Sequence, residues 1–111
     1  MINKEVEEIL AGLGVRAVYS SPAECGELPC ISYYMLTEKG SFACDNEEVM
    51  TDASVQIDIW ADEGYKCGSI ALDVNSAMRE HGYRRELSMD IPKGDDGIYH
   101  RTMRFSKSYM N

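Results

Sequence analysis

An alternating segment, residues 51–61, constrains the fold of this 111-residue chain more than any other part of it. Its apolar positions are Ala53, Val55, Ile57 and Ile59, and the residues between and after them are Ser54, Gln56, Asp58 and Trp60. A period of two places these two sets on opposite faces of a β-strand. One face must be buried in a core, whereas the other carries a carboxylate and a large aromatic, a pair suited to contact with another protein surface.

Helical spacing of apolar residues predicts two helices. The first spans residues 4–13 behind the capping residue Asn3, and its apolar stripe is Val6, Ile9, Leu10 and Leu13. The second follows the alternating segment directly, with Asp62 placed to cap it and Gly82 placed to end it. Its apolar face comprises Cys67, Ile70, Ala71, Val74, Ala77 and Met78. Each stripe must be buried against a sheet or a neighbouring helix.

Four further segments have the composition of β-strands. They are residues 15–19, 30–38, 83–91 and 98–109. In the third of these, Arg85, Leu87, Met89 and Ile91 alternate with Arg84, Glu86, Ser88 and Asp90. Residues 39–50 contain a glycine and an acidic cluster without any period, which predicts a long hairpin arm or loop.

The predicted order is therefore α-β-β-β-α-β-β, in a single domain over residues 1–111. Strands interrupted by single helices favour an α+β fold. We expect an antiparallel sheet with two helices packed on one face. The other face is expected to be more polar and to hold Trp60, Tyr34 or Tyr33, and the arginines of the last hairpin.

The chain is acidic, with a net charge of −8 and a pI of about 4.6. Such a protein repels phosphate, which argues against free-standing binding of DNA or RNA. The charge is uneven, since residues 1–78 hold 4 basic and 14 acidic side chains and residues 79–111 hold 7 basic and 5 acidic ones. The two parts are suited to meet between copies in a head-to-tail ring, although the charge can equally serve solubility alone.

Cysteine usage and hydropathy bear on the compartment and on metal binding. No apolar run approaches the roughly 20 residues that span a bilayer, and the N-terminus has no apolar signal core, so we expect an intracellular protein with no membrane partner. Its four cysteines are then expected to be free thiols. Zinc at Cys25 and Cys30 is a weaker alternative, because no second close pair follows.

Candidate catalytic groups each have a simpler explanation. Ser20-Ser21 precedes a proline and suits a turn. The pairs Glu47-Glu48 and Asp95-Asp96 lie in polar segments where carboxylates are normally solvated. His100 alternates along a strand, where a surface or pairing role is common, and there is no glycine-rich phosphate loop. The sequence predicts a structural or assembly protein rather than an enzyme, without cofactor or metal.

An ordered set of segments resembles one protein family. The set is the strand from Asp52 to Trp60 (DASVQIDIW), a helix ending in VNSAM, then GYRR, and a final GIYHRTMRF strand. It is similar to the tail terminator proteins (tail completion, or tail-to-head joining, proteins) of siphophages and prophages of Gram-positive bacteria. The likeness covers most of the chain from about residue 30.

The resemblance implies an α+β protomer of a hexameric ring in the virion neck, made in the host cytoplasm. The ring caps the tail tube, stops its polymerisation, and joins it to the head connector, while DNA passes through the lumen without specific binding. The acidity and length of the loop make Asp45, Glu47 and Glu48 candidate ring-contact or lumen positions. The candidate interaction face comprises Asp58, Trp60, Arg101 and Arg104.

Two other classes of function stay open at this point. The first is a small dimeric ligand-binding or regulatory domain with a pocket lined by Tyr33, Tyr34 and Trp60. The second is a small enzyme that uses His100 together with Asp95 or Asp96.

Overall fold

Two helices and five strands make up the protein. The computed structural model describes residues 2–19, 26–44, 47–92 and 94–110. The elements are α1 (Ile2–Ala11), β1 (Arg16–Tyr19), β2 (Cys30–Cys44), β3 (Glu47–Ala61), α2 (Gly64–Glu80), β4 (Arg84–Ile91) and β5 (Tyr99–Met110). The predicted α+β class and the predicted order of elements are confirmed.

The five strands form one sheet in the order β1-β2-β3-β5-β4. The pairs β2–β3, β3–β5 and β5–β4 are antiparallel, whereas β1 runs parallel to β2, with Arg16 opposite Cys30. The prediction of a wholly antiparallel sheet is therefore wrong at this edge. A tight turn would have made β1 and β2 antiparallel, but the ten residues between Tyr19 and Cys30 are enough to return the chain to the end where β1 began.

Both helices contribute to a single core on one face of the sheet. Side chains of α1 (Val6, Leu10) and of α2 (Val74, Met78) belong to the same buried cluster as the odd-numbered residues of β3. Directly opposite those residues, and in the same cluster, lie Ile31, Tyr33, Met103 and Phe105. The apolar half of the alternating segment is thus covered by helices, and we call the opposite side of the sheet the open face.

The start of α2 differs from the prediction. Its N-cap residue is Glu63, whose side chain makes no capping hydrogen bond. Asp62 instead lies 3.5 Å from Nζ of Lys66, four residues on. The helix ends as predicted, since Gly82 follows the C-cap residue His81 with φ of +86°, a left-handed conformation that glycine adopts without strain.

Strand β4 contains a β-bulge that changes which face its side chains occupy. Arg85 lies opposite Phe105, but the next paired residue, Leu87, lies opposite Arg104. The extra residue shifts the alternation by one, as a bulge does. Beyond it, Leu87, Met89 and Ile91 therefore share the open face, so the uninterrupted alternation predicted for this strand is wrong.

The β2–β3 hairpin continues well beyond the helices. The two strands stay paired as far as Cys44 and Glu47, so the predicted strands 30–38 and 51–61 are too short and the arm interpretation of residues 39–50 is confirmed for the described residues. We call residues 37–44 and 47–52 the hairpin arm. It gives the molecule its extents of 54 × 24 × 20 Å. Its described side chains at positions 37–39 are exposed, and without a core beneath it a strand has no reason to alternate.

Candidate interaction surface

The polar half of the alternating segment lies on the open face. Gln56, Asp58 and Trp60 alternate with the core residues of β3, and antiparallel pairing places β2 and β5 residues beside them. The residues brought together in this way are Ser32, Tyr34, Gln56, Asp58, Trp60, His100, Thr102 and Arg104. The β2–β3 hairpin and the distant strand β5 thus contribute to one surface.

A hydrogen-bonded network holds the centre of this surface. The Asp58 side chain is 1% exposed, and both of its oxygens have partners. Nε2 of His100 donates to Oδ1 at 2.7 Å, and Nε2 of Gln56 donates to Oδ2 at 3.0 Å. Nε of Arg104 donates in turn to Oε1 of Gln56 at 3.2 Å. A buried carboxylate without such partners would be costly, so the network stabilises one arrangement of these side chains.

Trp60 and His100 stack above the network. Their ring centroids are 3.7 Å apart, with 14° between the ring planes. The indole Nε1 donates to Oγ of Ser32 at 3.1 Å, which holds the tryptophan from its other side. Both rings are therefore fixed, and their half-buried position leaves an aromatic surface toward solvent.

Apolar side chains of β4 border the stack. The bulge puts Leu87, Met89 and Ile91 on the open face, where Met89 is 45% exposed. Ile91 pairs with His100, so the apolar row is continuous with the aromatic pair. A rigid centre of aromatic and apolar groups with polar groups around it is the usual anatomy of a protein–protein interface.

The residues predicted for the interaction face divide between the two sides of the sheet. Trp60 and Arg104 lie on the open face, and Asp58 lies beneath it as a positioning residue. Arg101 pairs with the core residue Ile59 and so lies on the helix side, a correction that follows from the strand period of two. There Nε of Arg101 donates to Oδ1 of Asp90 at 2.9 Å, and this hydrogen bond lowers the pKa of Asp90.

Sequence reasoning missed several members of the surface. His100 was considered as a surface or pairing histidine, or as an enzyme residue acting with Asp95 or Asp96, yet its register opposite Trp60 makes it part of the aromatic stack. That register follows from pairing β3 with β5, which the patterns of the two strands permit but do not specify. Met89 was missed because nothing in the sequence marks the bulge.

The predicted acidic positions lie in the hairpin arm. Glu47 and Glu48 begin β3, paired with Cys44 and Ala43. Asp45 lies outside the described residues. The arm places these two glutamates at its far end rather than next to the open-face network, which is centred ten residues further along β3 at Asp58.

The geometry also corrects the two alternative sites. Tyr33 is 5% exposed on the helix side, where it makes an edge contact with Tyr19, whereas Tyr34 and Trp60 are on the open face. Consecutive strand residues point in opposite directions, so these three side chains cannot line one pocket. The carboxylate partner of His100 is Asp58, while Oδ1 of Asp96 accepts from the backbone nitrogen of Ile98 within its own turn.

Of the two cysteines whose state the structure describes, Cys67 confirms the expected free thiol and Cys30 does not. Cys30 is disulfide-bonded, which excludes it as a zinc-binding thiolate, and expectations based on compartment alone missed it. Cys67 is free and buried, and burial raises the pKa of its thiol. It lies at a cleft of about 340 Å³ that also includes Gly64, Tyr99 and Arg101. Within the described ranges, no group of three or more His, Cys, Asp or Glu side chains is placed to hold a metal ion.

No protein-family model matches the chain, and no curated protein is significantly similar to it. Neither of the two described helices is long and apolar enough to cross a membrane.

Proposed function

We propose that this protein is a structural component of a phage or prophage tail, a tail terminator that forms a homohexameric ring on the tail tube. In this role it ends tube polymerisation, joins the tube to the head connector, and lets DNA pass without specific binding. It belongs to the virion neck and is made in the bacterial cytoplasm. The proposal assigns it no catalysis, no cofactor and no contact with membranes.

The observation that carries the proposal is the construction of the open face. Trp60 and His100 are stacked and hydrogen-bonded, and Met89 is exposed beside them. Fixed aromatic groups lose little conformational entropy on binding and therefore suit a protein partner. We assign this face to the contact with the tail tube.

The fixed geometry of His100 supports a structural rather than a catalytic role. Its Nε2 donates to Asp58, and its ring lies parallel to that of Trp60. An aspartate–histidine pair acts in nucleophilic catalysis when the second ring nitrogen faces a nucleophile. In the described part of the chain, the network around His100 consists of Asp58, Gln56 and Arg104, none of which is such a nucleophile, and the nearby Ser32 hydroxyl accepts from the indole of Trp60.

The hairpin arm supports assembly into a ring. Its described side chains at positions 37–39 are exposed, although Thr51 at its base is buried, so the outer part of the arm depends largely on strand pairing or on contacts with other molecules. An arm that contacts a different surface on the next copy makes a heterologous contact, the kind that closes into rings. The net charge of −8 is compatible with a lumen that does not retain DNA.

Native mass spectrometry of the purified protein over a range of concentrations, with negative-stain imaging of the same sample, tests the proposal. We expect hexamers that appear as sixfold rings with a central hole. If only monomers form, tail tubes are added, and rings at the tube ends are then expected. A stable dimer that never forms rings, or monomers that ignore the tubes, would contradict the proposal.

Two matched variants test the assignment of the open face. Met89→Arg places a charge beside the aromatic stack, whereas Leu72→Arg places one on α2, where Leu72 is 69% exposed. We expect Met89→Arg to abolish binding to tube ends and Leu72→Arg to preserve it. Equal binding by both variants would remove the open face from the contact.

A further inference from the structure

A groove lies where α2 ends and β4 begins. It has a volume of about 450 Å³ and is lined by Arg79, Gly82, Tyr83, Arg84 and Arg85. The left-handed turn at Gly82 brings the last turn of the helix and the start of the strand to the same place. Three arginine residues thereby line one groove in a protein whose net charge is −8, and Arg85, opposite Phe105, lies on the helix side of the sheet, the side on which α2 packs.

The three arginines differ in their partners: Arg84 is paired within the fold, whereas Arg79 and Arg85 have no ion pair among the described residues. Nε of Arg84 donates to Oε1 of Glu86 at 2.8 Å, and its Nη2 donates to Oγ of Ser106 at 3.1 Å. Arg79 and Arg85 are exposed, and no carboxylate lies within ion-pair distance of either among the described residues.

Three carboxylates near the groove do not pair with Arg79 or Arg85: two are in other ion pairs, and the third projects from a different side of the helix. Glu5 pairs with Nζ of Lys107 at 2.8 Å, and Glu86 pairs with Arg84. Glu80 is adjacent to Arg79 in the helix, and successive helical side chains project about 100° apart. With respect to the described residues, the groove therefore offers two guanidinium groups outside any ion pair, and such groups bind carboxylates with paired, charge-assisted hydrogen bonds.

We infer that this groove receives the acidic end of the hairpin arm from a second copy of the chain, through one carboxylate of the adjacent pair Glu47 and Glu48. The inference rests on the proposed ring and specifies the contact between its subunits. Charge complementarity is the first argument, since these are adjacent glutamates at the start of β3 and the groove holds unpaired arginines.

The register shows that the arm of the same molecule cannot supply this contact. Arg84 pairs with Ser106, which pairs with Ser54 of β3. Glu48 lies six residues beyond Ser54 along an extended strand, a distance of about 20 Å at the usual rise per residue. The groove is therefore at the base of the arm and the glutamates are at its far end, so only another copy can bring them together.

The contact is directional, because the arm of one copy meets the groove of the next. Donor and acceptor surfaces differ, so each subunit uses both and no two-fold symmetry is needed. An ionic contact of this kind weakens as salt increases. It uses two of the seven basic side chains that follow residue 78.

Charge reversal with rescue tests the inference. Arg79→Glu/Arg85→Glu alters the groove, Glu47→Arg/Glu48→Arg alters the arm, and the four-fold variant restores opposite signs. We expect native mass spectrometry to show loss of the wild-type oligomer in each double variant and its recovery in the four-fold variant. Arg16→Glu on β1, where Arg16 is exposed, is the control and should assemble normally. Circular dichroism melting curves verify that each variant is folded.

Each outcome separates this inference from the proposed function. Assembly that survives either double variant, or that the four-fold variant does not restore, would overturn the arm–groove contact even if sixfold rings form. A wild-type oligomer other than a hexamer that follows the loss-and-recovery pattern would support the contact while contradicting the ring. Binding of an unrelated DNA duplex that disappears with Arg79→Glu/Arg85→Glu, with assembly unchanged, would identify phosphate as the occupant and overturn the inference.

Discussion

Trp60 and His100, forty residues apart in the chain, stack with their ring centroids 3.7 Å apart on the open face of the sheet. Each ring is held by a second contact, the indole by Ser32 and the imidazole by Asp58. Because both positions are fixed before any partner arrives, binding on this face requires little reorganisation. The buried aspartate is thus linked to the surface it supports.

Removal of the Asp58 carboxylate should destabilise the fold. In Asp58→Ala, the buried amide of Gln56 and the ring of His100 lose their acceptor, so we expect the free energy of unfolding to fall by about 2–3 kcal/mol. Urea denaturation measures the change. Asp90→Ala is the control, because that side chain is 72% exposed in its pair with Arg101 and its loss should cost much less. Equal losses would show that the network does not hold the sheet together.

The Glu5–Lys107 pair should make stability depend on acid pH. Burial raises the pKa of Glu5, but the hydrogen bond and charge of Lys107, together with smaller contributions from Tyr83 and His81, outweigh it and the pKa is lowered overall. A carboxyl with a depressed folded-state pKa contributes stability above its unfolded pKa, and this contribution is lost as the pH falls through the folded value. The wild type should therefore be more stable than Glu5→Gln at neutral pH, and the difference should shrink as the pH falls below the ordinary glutamate pKa of about 4.3 and through the lower folded-state pKa.

The same comparison in a Lys107→Met background isolates the pair. Lys107 also donates to the backbone oxygen of His81 at 2.7 Å, so both members of this comparison lack that bond equally. The pH-dependent difference between glutamate and glutamine should then largely disappear. Its persistence at full size would assign the effect to another partner of Glu5.

Cys67 should be unreactive in the folded protein. Burial raises the pKa of its thiol and outweighs the opposite influence of Arg101, so little of the nucleophilic thiolate is present at neutral pH. Peptide mapping after iodoacetamide treatment should show slow modification of Cys67 in buffer and rapid modification in urea. Equal rates would mean that the core around α2 opens readily.

Two glycine-to-alanine substitutions should have opposite effects on the melting temperature. Gly68 lies within α2, and a Cβ there would meet open space, so Gly68→Ala should stabilise the protein by about 0.5–1 kcal/mol. Gly82 has φ of +86°, and Gly82→Ala should destabilise it by about 1–2 kcal/mol. Thermal unfolding followed by circular dichroism measures both. Stabilisation by Gly82→Ala would contradict the left-handed turn.

The parts of the fold that were predictable are those with a core beneath them. The stripes of α1 and α2 and the alternation of β3 record which side chains are buried, and those elements form close to the predicted positions. The hairpin arm was predicted only as one of two alternatives, because exposed strands carry no such record. The parallel pairing of β1 depends on the path of the chain to β2 rather than on its own four residues.

The candidate surface was only partly predictable for a related reason. Asp58 and Trp60 were identified from the strand period, but their partner His100 depends on the register between β3 and β5. Arg101 was predicted to share a face with Arg104, but the two are three positions apart in the strand, and an odd spacing puts them on opposite faces. Pairing geometry between strands, rather than the composition of any one strand, determines which groups meet.

The bulge between Arg85 and Leu87 has an evolutionary consequence for the open face. The two parts of β4 are out of phase, and their phase depends on one residue. Loss of the single codon for the extra residue would restore regular alternation and leave Leu87 opposite Arg104, on the same open face as before. If the extra residue were instead paired regularly, Leu87 and Met89 would move to the helix side, so the apolar border depends on the bulge accommodating that residue.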